Sequence, residues 1–358
     1  MLLLDRYIAR ESLKLLLLAL TAFVGIYVVV DLFEKFTKFL EAKVAPASIL
    51  SYYAFSLPTI LIQVMPVGVL LATLLALGTM ARNNELLAMK MGQLAALRIA
   101  LPGIAVGLAA SGLAWVVAEH VAPRTSEHAL QIWRTQVRKL PAHSVTRDSD
   151  IWYRAEGDRF VHISLIEVQS GLIRGMSVFD LSPEFDLLTR VDAREAVWSH
   201  ESWTLRSGYR MDLSRTPTTV QPFKELPLQM REGPHEFARV ARSPEEMSYA
   251  QLKRYIDRLV ASGVSATRYK VDLHAKVATA LVSLIMAVLG VSFGLRTGKA
   301  GVMVWVGACI PMGFLYWMLL SLGIALGRGG ALPPLVAAWL PNLAFGSAGL
   351  ISLWRLRG

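Results

Sequence analysis

Long apolar runs bounded by charged residues divide the chain into two groups of three. A membrane-spanning helix needs about 20 mostly apolar residues, and six stretches approach or exceed that length: 13–30, 55–80, 99–118, 277–295, 302–326 and 333–354. The middles of these stretches contain no Asp, Glu, Lys, Arg or His. The pattern predicts six transmembrane helices, three before and three after a central segment that lacks such runs.

The central segment has the alternation of apolar and polar residues that is typical of β-strands, most clearly from Trp203 to Leu213. Turn-forming residues separate five predicted strands, at 151–156, 159–167, 173–181, 187–199 and 203–213. Consecutive strands without helices between them favour an antiparallel meander, closed as a sandwich, a jelly roll or an open barrel.

Helical signals return after Pro227. Ser243-Pro-Glu-Glu246 supplies an N-cap and early acidic residues, and Gly263 predicts the end of this connecting helix. A second helical stretch, 269–276, leads into the fourth apolar run. The expected organisation is an α-helical membrane protein with an inserted, jelly-roll-like antiparallel β domain. Its parts are three helices in 1–120, the β domain and connecting helix in 121–272, and three helices in 273–358.

Composition agrees with a membrane protein. Apolar residues make up 54% of the 358 residues and charged residues 18%, against roughly 25% charged residues in soluble chains. These values argue against a soluble enzyme, a disordered chain or a coiled coil. The single cysteine, Cys309, excludes an intramolecular disulfide and any multi-cysteine metal site.

The location of the charge argues against nucleic-acid binding. The net charge is +10, but residues 120–272 hold 22 basic and 20 acidic residues, so most of the excess flanks the apolar runs. The N-terminal side of the predicted membrane carries ten basic residues in short loops and span ends, and the opposite side carries five. Because cytoplasmic loops are enriched in Lys and Arg, we predict that both termini are cytoplasmic and that the central domain lies on the opposite, exterior side of the membrane.

No motif for enzyme chemistry is present. The nearest approach to a phosphate-binding loop, Gly294 to Ala300, has one residue too few and Ala where the motif needs a hydroxyl. There is no G-x-S-x-G sequence and no pair of histidines at metalloprotease spacing. We therefore expect no catalytic residues, no metal site and no cofactor on this chain.

The exit of the first apolar run, residues 31–43, combines cations with aromatic residues. If the helix continues, Lys35 and Lys38 lie on adjacent turns of one face, beside an arc of three aromatic residues, Phe33, Phe36 and Phe39. Such a surface suits an amphiphile that bears phosphates, and we predict substrate contacts at Lys35, Lys38 and Lys43. The alternative is an interfacial helix with Glu34–Lys38 pairing.

The loop 81–92 between the second and third runs is short, helix-favouring and amphipathic. Its acidic residue Glu85 and its apolar residues Leu86, Met89 and Met91 suit insertion into a groove on a partner. We predict that Glu85, Leu86 and Met89 contact a cytoplasmic protein. The alternative is a short interfacial helix with no special role.

Three segments resemble a known family. Residues 70–89, the opening Leu4-Asp5-Arg6-Tyr7-Ile8 and Leu273-His274-Ala275-Lys276 are similar to the lipopolysaccharide export permeases of the LptF/LptG family. The resemblance covers essentially the whole chain in order and spacing. Asp-Arg-Tyr-Ile and the Asp31 to Glu34 stretch are more similar to the LptG type. Lys38 matches a basic position of the family, whereas Asp31 and Thr37 stand where some relatives carry Lys.

The resemblance implies a permease subunit of an ABC transporter. Such a subunit pairs with a paralogous permease above a dimeric cytoplasmic ATPase, which holds ATP and Mg. The complex extracts lipopolysaccharide from the inner membrane through lateral gates that involve the first and fifth spans. It passes the lipid to a periplasmic bridge protein and its membrane-anchored component. The family's coupling helix corresponds to the loop that contains Glu85.

Two alternatives to a permease subunit are a stand-alone secondary lipid transporter and a membrane-anchored periplasmic assembly protein. A stand-alone secondary lipid transporter needs ionisable residues inside the membrane for ion coupling, and the six runs lack them at their middles. A membrane-anchored periplasmic assembly protein does not need a helical cytoplasmic loop. The presence or absence of a bound ATPase separates the permease from both.

Overall fold

The computed structural model describes residues 3–139, 144–145, 151–155, 159–167, 170–182, 186–199, 202–214, 219–228, 230, 232–234, 247–261, 266–297 and 302–355. The chain forms two compact units. The first combines Met1–Leu130 with Pro244–Gly358, and the second is Gln131–Ser243.

The first unit is helical. Its helices are α1 (Leu3–Ala42), α2 (Pro46–Arg82), α3 (Glu85–Met91), α4 (Ala96–Val116), α5 (Ala122–Ile132), α6 (Tyr249–Ala261), α7 (Thr267–Ala280), α8 (Val282–Thr297), α9 (Val302–Arg328) and α10 (Pro334–Trp354). Two π-helical turns, Val117–Val121 and Trp133–Val137, flank α5. The boundary between the two units falls within α5, between Leu130 and Gln131, and the second π turn belongs to the second unit.

Among the described residues, six apolar segments have the length and composition of membrane spans when one bent helix pair is counted as a single span. Five are the single helical runs Leu3–Ala42, Pro46–Arg82, Ala96–Val137, Met303–Arg328 and Pro334–Trp354. The sixth is the pair α7 and α8, which is bent by 42° at Leu281. The predicted arrangement of three spans on each side of an inserted β domain is therefore confirmed.

Glycines bring the spans close together. A side chain at Gly107 of α4 would overlap Ala287 of α8, and one at Gly290 of α8 would overlap Thr73 of α2. Between α9 and α10, Gly323 faces the backbone of Ala337. Small residues at helix interfaces allow this close backbone approach, and the resulting van der Waals packing holds the helices together.

A buried polar network stabilises the bend between α7 and α8. The amide of Asn342 on α10 donates to the carbonyl of Ala278 at 2.8 Å, and the hydroxyl of Tyr316 on α9 donates to Asn342 Oδ1 at 2.6 Å. The Ala278 carbonyl also accepts the Leu281 N–H at the break. Three spans are thus joined where the helix is interrupted.

The second unit contains one antiparallel sheet. Its strands are β1 (Ser144–Val145), β2 (Ile151–Ala155), β3 (Arg159–Glu167), β4 (Leu172–Leu181), β5 (Leu187–Ser199), β6 (Ser202–Asp212) and β7 (Thr219–Leu228). Each strand from β3 onward pairs with the next one along the chain, and both β1 and β2 pair with β3. The predicted antiparallel meander is confirmed, with its five strands present as β2 to β6.

The sequence pattern does not predict strand β7. It contains Pro222 and Pro227, and proline removes a ladder hydrogen bond, which lowers the expectation of a strand. β7 pairs with β6 at one end of the sheet order, which is where prolines are tolerated. Buried apolar residues from β3 to β6, including Val161, Ile173 and Trp203, form the core of this unit.

Helix α6 is described from Tyr249 to Ala261. The predicted N-cap at Ser243 and the predicted end at Gly263 lie outside the described residues. The observed start is a capping box, in which the Ser248 N–H donates to Gln251 and the Gln251 N–H donates to the Ser248 hydroxyl. The carboxylate of Glu119, in the π-helical turn after α4, also accepts the N–H of Tyr249 at 2.6 Å. The predicted helix at 269–276 is present within α7.

Candidate functional site

The C-terminal end of α1 packs in a helical hairpin with the start of α2. The helix continues as far as Ala42 and stops at Lys43, whose φ of 54° is left-handed. The Val44 N–H donates to the Phe39 carbonyl and the Lys43 N–H to the Leu40 carbonyl, which is the hydrogen-bond pattern of a Schellman motif. Pro46 then starts α2, as its fixed φ favours. The hairpin brings the start of α2 against residues 31–39 of α1.

This hairpin creates a polar group that we call the α1 tip cluster: Asp31, Lys35, Tyr52 and Tyr53. The Lys35 ammonium donates to both carboxylate oxygens of Asp31 at 2.8 Å and to the Tyr52 hydroxyl at 2.9 Å. The Tyr53 hydroxyl donates to Asp31 Oδ2 at 2.9 Å. The Lys35 and Asp31 side chains are 24% and 16% exposed, so water reaches the pair only partly.

Aromatic rings surround the cluster on one side. The ring of Phe39 is buried and meets Tyr52 edge to face at a centroid distance of 6.1 Å, and Tyr52 meets Tyr53 at 5.2 Å. Phe33 and Phe36 instead lie on the surface. Of the three phenylalanines predicted on one arc, one therefore packs inward and two remain available to lipid or a partner.

The three predicted substrate lysines have different surroundings. Lys35 is engaged by Asp31 and Tyr52, whereas Lys38 and Lys43 are exposed. Residues 31–43 contain three lysines and three acidic residues, so the segment is formally neutral. The Asp31–Lys35 spacing of four residues indicates their pairing, but the roles of Tyr52 and Tyr53 depend on the hairpin and were missed. Substrate contact at these lysines stays a prediction.

The second candidate site is α3, which follows a left-handed residue, Asn84, with a φ of 61°. The carboxylate of Glu85 accepts hydrogen bonds from the hydroxyl of Tyr7 on α1 at 3.1 Å and from the amide of Asn83 at 3.3 Å. Glu85 is half-buried. The predicted short amphipathic helix is present, and its first residue is tied to the N-terminal part of the chain.

The apolar residues of α3 point in two directions. Leu86 and Met89 are buried in a cluster with Ile8, Leu77 and other residues of the first unit. Leu87 and Met91 are 55% and 78% exposed, and Leu87 was not singled out from the sequence. Leu86 and Met89 thus support α3 from within the chain, so contact with a partner at these two positions would be indirect in this conformation.

Metal chemistry finds no support in the described part of the chain. Among residues 3–139, 247–261, 266–297, 302–355 and the described strands, no three His, Cys, Asp or Glu side chains are grouped closely enough to hold a metal ion. The arrangement at both sites instead suits binding: charged and aromatic groups at the end of α1, and an acidic residue beside exposed apolar side chains on α3.

Comparison with protein families gives a match over nearly the whole chain. Residues 6–355 match the family described as "Lipopolysaccharide export system permease LptF/LptG". The match includes both groups of spans, the β unit and the two sites described above.

Individual relatives carry the same description. The lipopolysaccharide export system permease protein LptG of Escherichia coli K12 is 25% identical over 360 residues, which cover 99% of this chain and 97% of that protein. LptG of Haemophilus influenzae Rd is 21% identical over 361 residues, with the same coverage. The expected likeness to the LptG type is confirmed by these relatives.

Proposed function

The chain belongs to the LptF/LptG family of lipopolysaccharide export permeases, and from this premise we propose that it is one permease subunit of an ABC transporter. In this proposal it pairs with a paralogous LptF-like permease. The two together extract lipopolysaccharide from the inner membrane and pass it to a periplasmic bridge. The observation that carries the proposal is the family match over residues 6–355, since it spans every element of the architecture.

A dimeric ATPase on the cytoplasmic side supplies the energy in this proposal. ATP and Mg bind to that partner, and this chain contributes α3 as the coupling helix. The exposed pair Leu87 and Met91 offers an apolar surface, and Glu85 lies at the helix start, where its carboxylate accepts a hydrogen bond from the Tyr7 hydroxyl. An apolar pair beside a charge is suited to a groove on a folded partner.

The substrate meets the chain at the outer end of α1 in this proposal. Lys38 and Lys43 are exposed beside Phe36 and Phe33, so a lipid with phosphates near its acyl chains fits both features of the surface. Most of the affinity would come from the acyl chains, at about 0.8 kcal/mol per buried CH₂ before other costs. The lysines would set the position of the headgroup.

The orientation in this proposal places both termini in the cytoplasm and Gln131–Ser243 in the periplasm. The excess of basic residues on the N-terminal side supports it. With this orientation α3 lies on the side of the ATPase and the end of α1 lies at the outer leaflet. The β unit is then positioned to hand the lipid to the bridge protein and its membrane-anchored component.

Co-purification tests the partnership. The chain would be tagged at its C-terminus, extracted from membranes with mild detergent and isolated with its bound proteins. We expect a second six-span permease and an ATPase in defined stoichiometry. Isolation of the chain without an ATPase, from membranes in which that ATPase is abundant, would favour a secondary transporter or an assembly protein instead.

A further inference from the structure

We propose that Asp31 is a built-in counterion that competes with substrate phosphate for Lys35 and thereby selects phosphate monoesters over phosphodiesters. The proposal rests on the proposed function, because it assumes that a phosphate-bearing lipid reaches the end of α1. It adds a specificity-determining residue, Asp31, and two positioning residues, Tyr52 and Tyr53.

The hydrogen bonds of Lys35 make the competition necessary. An ammonium group has three N–H donors, and three acceptor atoms lie within 2.9 Å of it: both Asp31 oxygens and the Tyr52 hydroxyl. A phosphate oxygen therefore gains a full hydrogen bond from Lys35 only if one of these acceptors leaves. Asp31 is the one that leaves, because its negative charge repels an incoming phosphate whereas the Tyr52 hydroxyl is neutral.

Tyr53 makes the exchange feasible. Its hydroxyl donates to Asp31 Oδ2 at 2.9 Å, so Asp31 keeps one hydrogen bond after it separates from Lys35. The Asp31 carboxylate is only 16% exposed. Without the Tyr53 hydroxyl it would have no protein hydrogen-bond donor after the exchange and only limited access to water, which is unfavourable for a charged group. Tyr52 holds the Lys35 ammonium beside α2 in either state.

The charge of the incoming group decides the outcome. A phosphodiester carries one negative charge, as Asp31 does, and replacing one with the other gains little Coulomb energy. A phosphate monoester carries about 1.5 to 2 negative charges at neutral pH and therefore outcompetes the carboxylate. Because residues 31–43 are formally neutral, no general cationic field attracts every anionic lipid, and the local exchange sets the preference.

The test compares two lipid probes on the purified full complex in nanodiscs of neutral lipid. Phosphatidic acid is the monoester probe and phosphatidylglycerol the diester probe, each with the same acyl chains and a fluorescent tail. Binding is measured at low and high salt for the wild type, for Asp31→Asn and for Glu34→Gln. Glu34 is exposed on the same helix. The Glu34→Gln substitution therefore removes one negative charge outside the α1 tip cluster and serves as the control.

We expect the wild type to prefer phosphatidic acid. Asp31→Asn should raise phosphatidylglycerol binding about fivefold, as expected for release of one partly exposed ion pair, and should reduce the preference toward one. Glu34→Gln should leave the preference unchanged. Equal binding of the two probes by the wild type, or the same change in preference for both variants, would overturn the proposal.

Tyr53→Phe separates selection from a merely structural role. It leaves Asp31 charged but removes its second donor, so exchange becomes less favourable and phosphatidic acid binding should fall, the opposite direction to Asp31→Asn. If the cluster only braces the hairpin, both variants should lower the melting temperature and weaken binding of both probes alike. Purification with the ATPase is a separate readout, so the complex can assemble as proposed even if this selection fails.

Discussion

Single charged residues at the end of α1 do not act alike. Sequence spacing places Lys35 and Lys38 on one face, and the continuous helix to Ala42 agrees with that. Their environments nevertheless differ, because Tyr52 and Tyr53 lie 17 and 22 positions beyond their partners in the chain. Pairing at i,i+4 is readable from sequence, whereas contacts across a hairpin depend on how the turn at Lys43 directs α2.

The lysines should therefore contribute to transport unequally. Lys38→Glu should be the most harmful change, since Lys38 is exposed and reversal adds repulsion toward a phosphate. Lys35→Ala should be weaker and Lys43→Ala the weakest, because Lys43 lies beyond the last helical turn. Each loss should amount to about 1 kcal/mol or less in apparent affinity.

Photo-crosslinking of lipopolysaccharide from position 38, with transport assayed at low and high salt, measures this order. The effect of Lys38→Glu should shrink as salt rises, because exposed charges are screened. Absence of crosslinks at position 38 together with normal transport by Lys38→Glu at low salt would leave these lysines as interfacial anchors.

The charge at Glu85 has two possible uses that can be separated. Its carboxylate accepts the Tyr7 hydroxyl within this chain, and its charge is available to a partner. If the partner reads the charge, Glu85→Lys should impair ATPase binding or hydrolysis more than Glu85→Ala, because like charges at an interface are unfavourable. Tyr7→Phe, which removes only the internal hydrogen bond, should then be close to neutral.

ATP hydrolysis by the purified complex, and the amount of ATPase retained with each variant, are the measurements. A loss in Tyr7→Phe equal to that in Glu85→Ala would assign Glu85 to bracing α3 rather than to the partner. Unaltered hydrolysis in all three variants would leave Glu85 on a solvated surface.

Elements of the fold differ in how far the sequence predicts them. The spans are predictable because a lipid environment demands long apolar helices with internally satisfied backbones. The continuation of the third span through α5 to Val137 was missed, since residues beyond Val116 are too polar for a hydropathy criterion. Strand β7 is not predicted because Pro222 and Pro227 lower the strand propensity of the segment, although proline is tolerated in an edge strand.

Glycines allow close helix packing in the first unit, and the contact between α4 and α8 offers a direct check. Gly107→Ala should destabilise the protein by about 1–3 kcal/mol, because the new methyl group overlaps Ala287 in a packed interface. Gly112→Ala on the same helix has no atom within 4 Å of the added carbon. It should therefore be neutral or slightly stabilising, since Ala favours a helix.

The melting temperatures of the two variants are compared in the same detergent. Unfolding is monitored as the fraction of protein that remains monodisperse after heating. Equal melting temperatures for Gly107→Ala and Gly112→Ala would contradict the close approach of α4 and α8. A lower value for Gly112→Ala alone would place a partner against that face.

At the scale of the whole molecule, hydropathy and strand alternation together predicted an inserted β domain between two groups of three spans. The division into Met1–Leu130 with Pro244–Gly358 and Gln131–Ser243 required the structure, because the boundary lies within a continuous helical run. Orientation rests on charge counting alone, and a direct experiment is available because the native Cys309 is buried.

Cysteine labelling of intact cells should report the orientation. Val220→Cys is on an exposed position of β7 and should react with a membrane-impermeant maleimide. Gly92→Cys is exposed after α3, and its φ of −74° suits any residue, but it should react only after the inner membrane is permeabilised. The reverse pattern would invert the topology and separate α3 from any cytoplasmic ATPase.

ATP-driven transfer of lipopolysaccharide is the most direct measurement of the central claim. Proteoliposomes would contain this chain with its co-purified permease and ATPase, lipopolysaccharide in the bilayer, and a soluble acceptor domain of the bridge protein carrying a photo-crosslinker. The account predicts crosslinked lipopolysaccharide that accumulates with ATP and is absent with a non-hydrolysable analogue or without this chain. Equal transfer without ATP, or without this chain, would contradict it.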